Sequence, residues 1–297
     1  MDGLLIIDKP AGLTSHDVVN RVRRILGTKR VGHTGTLDPF ATGVMVVLVG
    51  QATRLAQFID KDEKEYEATI FFGFETDTGD VTGSPKSNGQ SPRPVGSDEL
   101  ELALSHFRGE IDQVPPMYSA KKIDGKKLYE HARKGVEAER KAQNVTISKL
   151  EIIDDSALTV SEPTLKIRVA CSAGTYIRVL AEEIGRSVGV GAHLTELRRT
   201  RSGRFEIKDA LTIEALADHS DAGSALLPME RAVEHLSQFV LAEDRIAKTR
   251  NGMSTRIRDL SFADGETLRM LSPGRNLVAV GRYSAEESSV QPTVVLV

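Results

Sequence analysis

Residues 44–49 read VMVVLV, six consecutive apolar side chains, and this run constrains the fold more than any other feature. A strand with one wet face would alternate, so a short run with no polar face belongs inside a core. Immediately ahead of it lies GHTGTLDPFATG, residues 32–43, which shows neither a helical nor a strand period. That glycine-rich stretch is expected to be a loop between two ordered elements.

Other segments supply the layers around such a strand. Leu4 to Ile7 reads as a short buried strand, and Ser15 as the cap of a helix with a Val18, Val19, Val22, Ile25, Leu26 stripe closed by Gly27. Tyr66, Ala68, Ile70, Phe72 and Phe74 alternate with more polar residues, the period of a strand with one buried face. Ser84 to Ser97 is a Pro/Ser/Gly surface loop, after which Asp98 and Glu101 resemble a capping box for a helix through Phe107. Met117 to Ile123 reads as extended, Asp124-Gly125 as a turn, and LYEHARKG as a short helix. Strands are expected at Val145 to Ile153 and Leu165 to Cys171, then a turn at Gly174 and a helix from about Tyr176 to Val188. Beyond Ser237, apolar runs at Leu268 to Leu271, Leu277 to Val280 and Val294 to Val297 are broken by Asn251-Gly252, Asp264-Gly265 and Pro273-Gly274. They suggest a small all-β domain over 237–297 behind a larger one over 1–236. The irregular alternation of strands and helices suits an α+β fold better than a βαβ repeat.

Composition excludes several classes. With 40% hydrophobic and 27% charged residues, the 297-residue chain has the balance of a soluble globular protein. The start, MDGLLIIDKP, lacks the basic and long apolar regions of a signal peptide. No uncharged apolar stretch approaches the roughly 18 to 20 residues of a membrane span. A single Cys171 cannot form an internal disulfide and fits a reducing, cytoplasmic location. The seven histidines lack metal-ligand spacing, so no metal is expected. The formal net charge of -3 hides local segregation: Lys121 to Lys149 carries nine basic residues against four acidic ones. Arg198, Arg199, Arg201, Arg204 and Lys208 form a second basic cluster, and Arg21, Arg23, Arg24, Lys29 and Arg30 a third. Each alone reads as a solvated face; together they admit a nucleic-acid surface.

The marks of nucleotide hydrolysis, of a nucleophile elbow and of a dinucleotide fold are missing. What remains is Asp38, in a loop whose Gly32, Gly35 and Gly43 allow close backbone approach to a ligand. Taken alone, Asp38-Pro39 reads as a turn. Several separated motifs change that reading. DKPAGLTSHD (8–17), GHTGTLDPFATGV (32–44), KEYEA (64–68), PPMYSAKKIDGKKLYEHARKG, GTYIR (174–178) and LRR (197–199) resemble, in order, those of the bacterial branch of the tRNA pseudouridine-55 synthases. The resemblance covers most of the first 235 residues.

The resemblance implies a mixed, largely antiparallel catalytic domain with an RNA-gripping insertion at about 121–150 and a small C-terminal domain of the PUA type. It makes Asp38 the catalytic carboxylate and Arg178 its ion-pair partner. Tyr66 would stack on the uracil, Tyr176 and Leu197 would complete an apolar wall, and His33 would fill the space left by a flipped base. Lys9 reads as either a structural or a phosphate contact, and Lys121, Lys122, Lys126 and Lys127 as RNA contacts. The implied partner is tRNA, held at the T-arm and through the C-terminal domain at the acceptor end. No cofactor, membrane or protein partner is implied, because the isomerisation has no net redox change and no second reactant. Two other readings are an RNA N-glycosidase, which normally needs a second carboxylate, and an RNA chaperone, which would leave the Asp38 loop unexplained.

Overall fold

Thr14, not Ser15, caps the first helix: its hydroxyl accepts from the Asp17 amide at 3.1 Å, and the Asp17 carboxylate accepts from the Thr14 amide at 3.0 Å. The box needs its acid three residues after the cap, and only Thr14 has one there. Ser15 instead faces inward, donating to the Leu37 carbonyl at 3.1 Å and accepting from the Leu37 amide at 2.9 Å.

The computed structural model describes residues 1–86, 93–119, 122–123, 126–128, 139–158, 163–257 and 262–296. The chain opens with β1 (Gly3–Lys9), α1 (Ser15–Ile25), β2 (Val31–Thr34) and β3 (Thr42–Val49). Next come β4 (Lys64–Phe72), α2 (Ser97–Ser105), β5 (Gly109–Gln113) and the hairpin of β6 (Lys122–Ile123) and β7 (Lys126–Lys127). Then follow β8 (Gln143–Asp154), β9 (Thr164–Cys171), α3 (Ile177–Ser187), β10 (Ala192–Ser202), β11 (Phe205–Glu206) and α4 (Ile213–Ala217). The C-terminal part holds β12 (Ser237–Val240), α5 (Glu243–Arg250), β13 (Thr255–Arg256), β14 (Thr267–Leu271), β15 (Leu277–Ser284) and β16 (Ser289–Val295).

A nine-stranded sheet runs β1-β3-β10-β4-β9-β8-β5, with β2 also on β3 and β11 on β10. Its pairs are antiparallel except β3 with β10, which run parallel where Arg198 faces Thr42 and Arg199 faces Gly43. The fold is thus α+β with a mixed, largely antiparallel sheet. The apolar run of β3 has the expected cause. Met45, Val47 and Val49 pack with Val18, Val19 and Val22 of α1, while Val44, Val46 and Leu48 pack on the opposite face with Leu271, Leu277 and Val294 from the C-terminal sheet. On β4 the buried face carries Lys64, Tyr66, Ala68, Ile70 and Phe72, and the last four lie over Leu180 and Ile184 of α3 and Leu100 and Leu104 of α2.

Several expectations change. Residues 32–34 belong to β2, where His33 faces Val47; a four-residue strand held by backbone bonds leaves no hydrophobic period to read. Phe74 lies beyond the end of β4, against the His193 ring at 4.7 Å between centroids. Helix α2 begins after Gly96 with no side-chain cap and ends at Ser105; this start puts Glu99 rather than Glu101 at the third helical position, and Glu101 pairs with Arg108 at 2.7 Å instead. The LYEHARKG segment beyond Leu128 and the Asp124-Gly125 turn lie outside the described residues. The C-terminal part is β-rich rather than all-β. Its five-stranded sheet, β12-β14-β15-β16-β13, carries helix α5, whose sequence EDRIAKTR buries only Thr249 and so has no apolar stripe to announce it.

Gly43 marks the tightest approach in the sheet. Its φ is +103°, and a Cβ there would stand 2.2 Å from the Arg199 carbonyl oxygen and 2.7 Å from its amide nitrogen. Backbone cannot yield as a flexible side chain can. Gly43→Ala is therefore expected to lower the unfolding free energy by about 2–4 kcal/mol, read by urea denaturation. A change below about 0.5 kcal/mol, the usual range for surface substitutions, would contradict this packing.

Candidate active site

Arg178, in the first turn of α3, is 4% exposed and makes the contact on which the site is built. Its Nε donates to Asp38 Oδ2 at 2.9 Å and its Nη2 to Asp38 Oδ1 at 3.2 Å, a two-pronged pair that fixes the plane of the carboxylate. Its other bonds go to backbone: Nη1 to the Thr78 carbonyl at 2.7 Å and Nη2 to the Tyr118 carbonyl at 2.8 Å. A buried guanidinium is tolerated when its donors are met in this way. Asp80, 4% exposed, stands 3.8 Å from the same Nε and is held by the Thr78 hydroxyl and the Thr82 amide.

The loop carrying Asp38 is braced on both sides. Ser15 holds Leu37, while Pro39 accepts from the Gly12 amide at 2.8 Å and the Lys9 ammonium at 3.3 Å. Lys9 is fully buried and also donates to the carbonyls of Pro10 and Leu13, so it braces the loop from beneath and cannot contact RNA phosphate. Burial lowers its ammonium to about 8, against the attraction of Asp38. The Asp38 side chain remains 34% exposed. Burial among protein atoms pushes its carboxyl above the usual range; Arg178 pulls it down and Asp80 pushes it up.

Asp38 opens on a cavity of about 260 Å³ whose lining includes Leu37, Tyr66, Tyr176, Ile177, Leu197 and Arg199. Tyr66 on β4 and Leu197 on β10 are 9% and 7% exposed, so each is part core and part wall. Burial raises the phenol of Tyr66 above its ordinary value, with Arg199 opposing, and burial also raises that of Tyr176. Both stay protonated at neutral pH. The structure thus brings together Asp38, Tyr66, Tyr176, Arg178 and Leu197.

His33 does not line this cavity. It sits on β2 with Nδ1 lacking a hydrogen-bond partner among the described residues, and burial first, then Arg199, lowers its pKa, leaving it neutral. Lys122, Lys126 and Lys127 fall on β6 and β7, though their side chains are outside the described residues, as is all of Lys121.

Sequence reasoning missed four contributors. Arg199 is 1% exposed, donates to the carbonyls of Val44 at 2.6 Å and Gly35 at 2.9 Å, and would meet a Cβ on Gly35 at 3.2 Å. Lys64 is 4% exposed, lines the cavity and donates to the Asp60 and Asp62 carbonyls. Asp60 places a second carboxylate in the wall, where Oδ1 accepts from the Gly35 amide at 3.1 Å. Asp80 completes the set. Lys64 and Arg199 lay inside quoted motifs, and two charged residues on the buried faces of strands were the available signal. Asp60 and Asp80 gave none.

Comparison with known proteins now decides the family. A model described as TruB family pseudouridylate synthase, N-terminal domain, matches residues 23–177, and a tRNA pseudouridylate synthase B C-terminal domain matches residues 178–234. The chain belongs to the TruB family of pseudouridylate synthases. Within that family it is 37% identical over 302 residues to the tRNA pseudouridine synthase B of Bacillus pumilus, covering 100% of this chain and 98% of that protein. It is 41% identical to the protein of the same name from Geobacillus thermodenitrificans, covering 94% of each. Among solved structures, an H/ACA RNP bound to a substrate RNA containing 2'-deoxyuridine superposes with a TM-score of 0.75 at 26% identity, over 99% of this chain and 85% of that one. An archaeal box H/ACA sRNP Nop10-Cbf5 complex gives a TM-score of 0.71 at 28% identity, over 99% and 85%. The two TruB family models meet between Ile177 and Arg178, so the pair that orients Asp38 joins both matched parts.

Proposed function

We propose that this TruB family member isomerises one uridine of tRNA to pseudouridine, at position 55 in the T-loop, with Asp38 as the catalytic carboxylate. The observation that carries this reading is the two-pronged Arg178–Asp38 pair at the floor of a small, partly apolar cavity. In the reaction the N1–C1′ bond breaks, the uracil turns, and a C5–C1′ bond forms. C5 loses its hydrogen as a proton while N1 regains one, so atoms balance with no oxidant and no second reactant. A carboxylate serves this chemistry either by adding to the base or by assisting its departure at C1′, and both routes need an oriented, ionised group. Arg178 supplies the orientation, Tyr66 stacks on the base with its protonated hydroxyl available to move the late proton, and Tyr176 and Leu197 close the wall.

A uridine stacked in a folded loop must leave the stack to reach Asp38. His33, whose pKa burial lowers and whose Nδ1 has no hydrogen-bond partner among the described residues, is suited to the vacated place. The C-terminal β-rich part, which resembles the PUA domain in place and size, is proposed to touch the acceptor end. Its shared core with β1 and β3 holds it at a fixed distance from the cavity, as a two-point grip on one rigid RNA requires.

Asp60 gives the glycosidase reading a second carboxylate that the sequence had not disclosed, and one experiment separates the two reactions. With tRNA carrying tritium at C5 of uracil, isomerisation releases tritium to water in proportion to pseudouridine formed and leaves the polymer complete. Free labelled uracil and an abasic RNA would overturn the proposal.

The insertion makes a second prediction. Neutralising Lys121, Lys122, Lys126 and Lys127 should weaken tRNA binding and flatten its salt dependence, by up to about 0.9 in log–log slope for each phosphate no longer neutralised. The single-turnover rate in saturating tRNA should stay within about threefold, since phosphate contacts position the RNA rather than react. An unchanged salt slope would take these lysines off the RNA.

A further inference from the structure

Gln113 is the last residue of β5, an edge strand of the large sheet, and it is 1% exposed. Its side chain meets the backbone of Tyr176 twice: Nε2 donates to the Tyr176 carbonyl at 3.1 Å, and Oε1 accepts from the Tyr176 amide at 2.7 Å. Only one orientation of the amide satisfies both bonds. The side chain thus replaces a backbone rung, across 63 residues, at the residue that precedes α3.

This attachment point matters because of what lies on either side of it. Two residues after Tyr176 comes Arg178, whose fork fixes Asp38. Five residues after Gln113 comes Tyr118, whose carbonyl accepts from Arg178 Nη2 at 2.8 Å. The N-terminal cap of α3 carries no side-chain hydrogen bond of its own, so the Gln113 amide tethers the Tyr176 backbone at that end of the helix, beside the bonds that Arg178 makes.

We propose that Gln113 is a positioning residue for the reaction: through the Tyr176 backbone it sets the placement of the first turn of α3, and through that turn the geometry of Arg178 on Asp38. The proposal rests on the pseudouridine synthase reading above. It deepens that reading, since Gln113 touches neither the cavity nor any reacting atom and lies outside every motif that carried the family resemblance.

Two variants test it, each measured in single turnover with saturating tRNA over a range of pH and expressed as a ratio to wild type. Gln113→Met keeps the length and apolar bulk but removes both hydrogen bonds. It is expected to slow the reaction at least about tenfold, because a misplacement near 1 Å costs on the order of a hundredfold, while tRNA affinity stays within about twofold. Gln113→Glu gives a sharper readout. As a carboxylate it can accept from the Tyr176 amide but stands against the Tyr176 carbonyl with no proton to donate. As a carboxylic acid it again presents one donor and one acceptor. Its rate relative to wild type should therefore rise as pH falls, while the Gln113→Met ratio does not. Recovery of the rate while the thermal midpoint of the free variant stays unchanged over the same pH range separates positioning from a merely structural role, in which rate and midpoint would recover together.

A Gln113→Met rate within twofold of wild type, a loss confined to tRNA affinity, or a Gln113→Glu ratio that does not rise toward acid pH would overturn the proposal. Should Gln113→Met fail to fold, the pH dependence of Gln113→Glu still decides. Failure of the underlying reading is distinguishable, because then wild type itself makes no pseudouridine.

Discussion

Asp38→Asn is expected to abolish turnover, by at least about four orders of magnitude, as removal of a central catalytic group typically does, while leaving a folded protein that still binds tRNA. The substitution keeps the volume and removes the charge and the nucleophilic oxygen pair. The fold should survive because the loop is braced through Leu37 and Pro39 rather than through the carboxylate. Arg178 loses part of its fork but keeps the Thr78 and Tyr118 carbonyls and the nearby Asp80. The checks are single-turnover kinetics, tRNA affinity by filter binding and the thermal midpoint of the free protein. Turnover within about tenfold of wild type, in protein verified free of deamidation, would remove Asp38 from the chemistry, since a catalytic group contributes far more than that.

Arg178→Met is expected to slow single turnover at neutral pH by about 10²- to 10³-fold, the scale of losing one preorganised charged donor, and to move the acid limb of the pH profile upward. The sign follows from the forces on Asp38. Burial raises its pKa, Arg178 lowers it, and Asp80 raises it. Without Arg178, only the weaker pull of Lys9 is left against burial and Asp80, so the carboxyl holds its proton to higher pH. The rate needs the ionised form; it is present above the pKa of Asp38 and lost as pH falls through it, and the variant loses it at higher pH than wild type. Methionine keeps much of the stem packing, so a rate loss with an unmoved acid limb would leave Arg178 as an orienting group alone.

The sequence disclosed elements whose packing is uniform along their length and concealed those held by single contacts. The run in β3 was legible because both its faces are covered, and β4 because one face is. Strand β2 is four residues long and puts one apolar side chain, Val31, into the core, and α5 buries one threonine, so neither carries a period. The helix cap moved from Ser15 to Thr14 because the capping geometry counts from the acid at position 17. At the site, Asp38 reads as an ordinary turn former, and it does close a turn with Ala41; only the family motif singled it out. Its partner lies 140 residues away and the Gln113–Tyr176 tether spans 63. Contacts at such separations leave no local trace. Lys9 was ambiguous from sequence for the same reason, since only burial distinguishes a strut from a phosphate ligand.

The measurement that bears most directly on the central claim is nucleotide-resolution mapping of pseudouridine in an unmodified tRNA transcript after incubation with the wild-type protein, with Asp38→Asn in parallel. The account predicts one modified uridine, in the T-loop, with wild type and none with the variant. Modification scattered over many uridines, or a T-loop mark made equally well by Asp38→Asn, would contradict it.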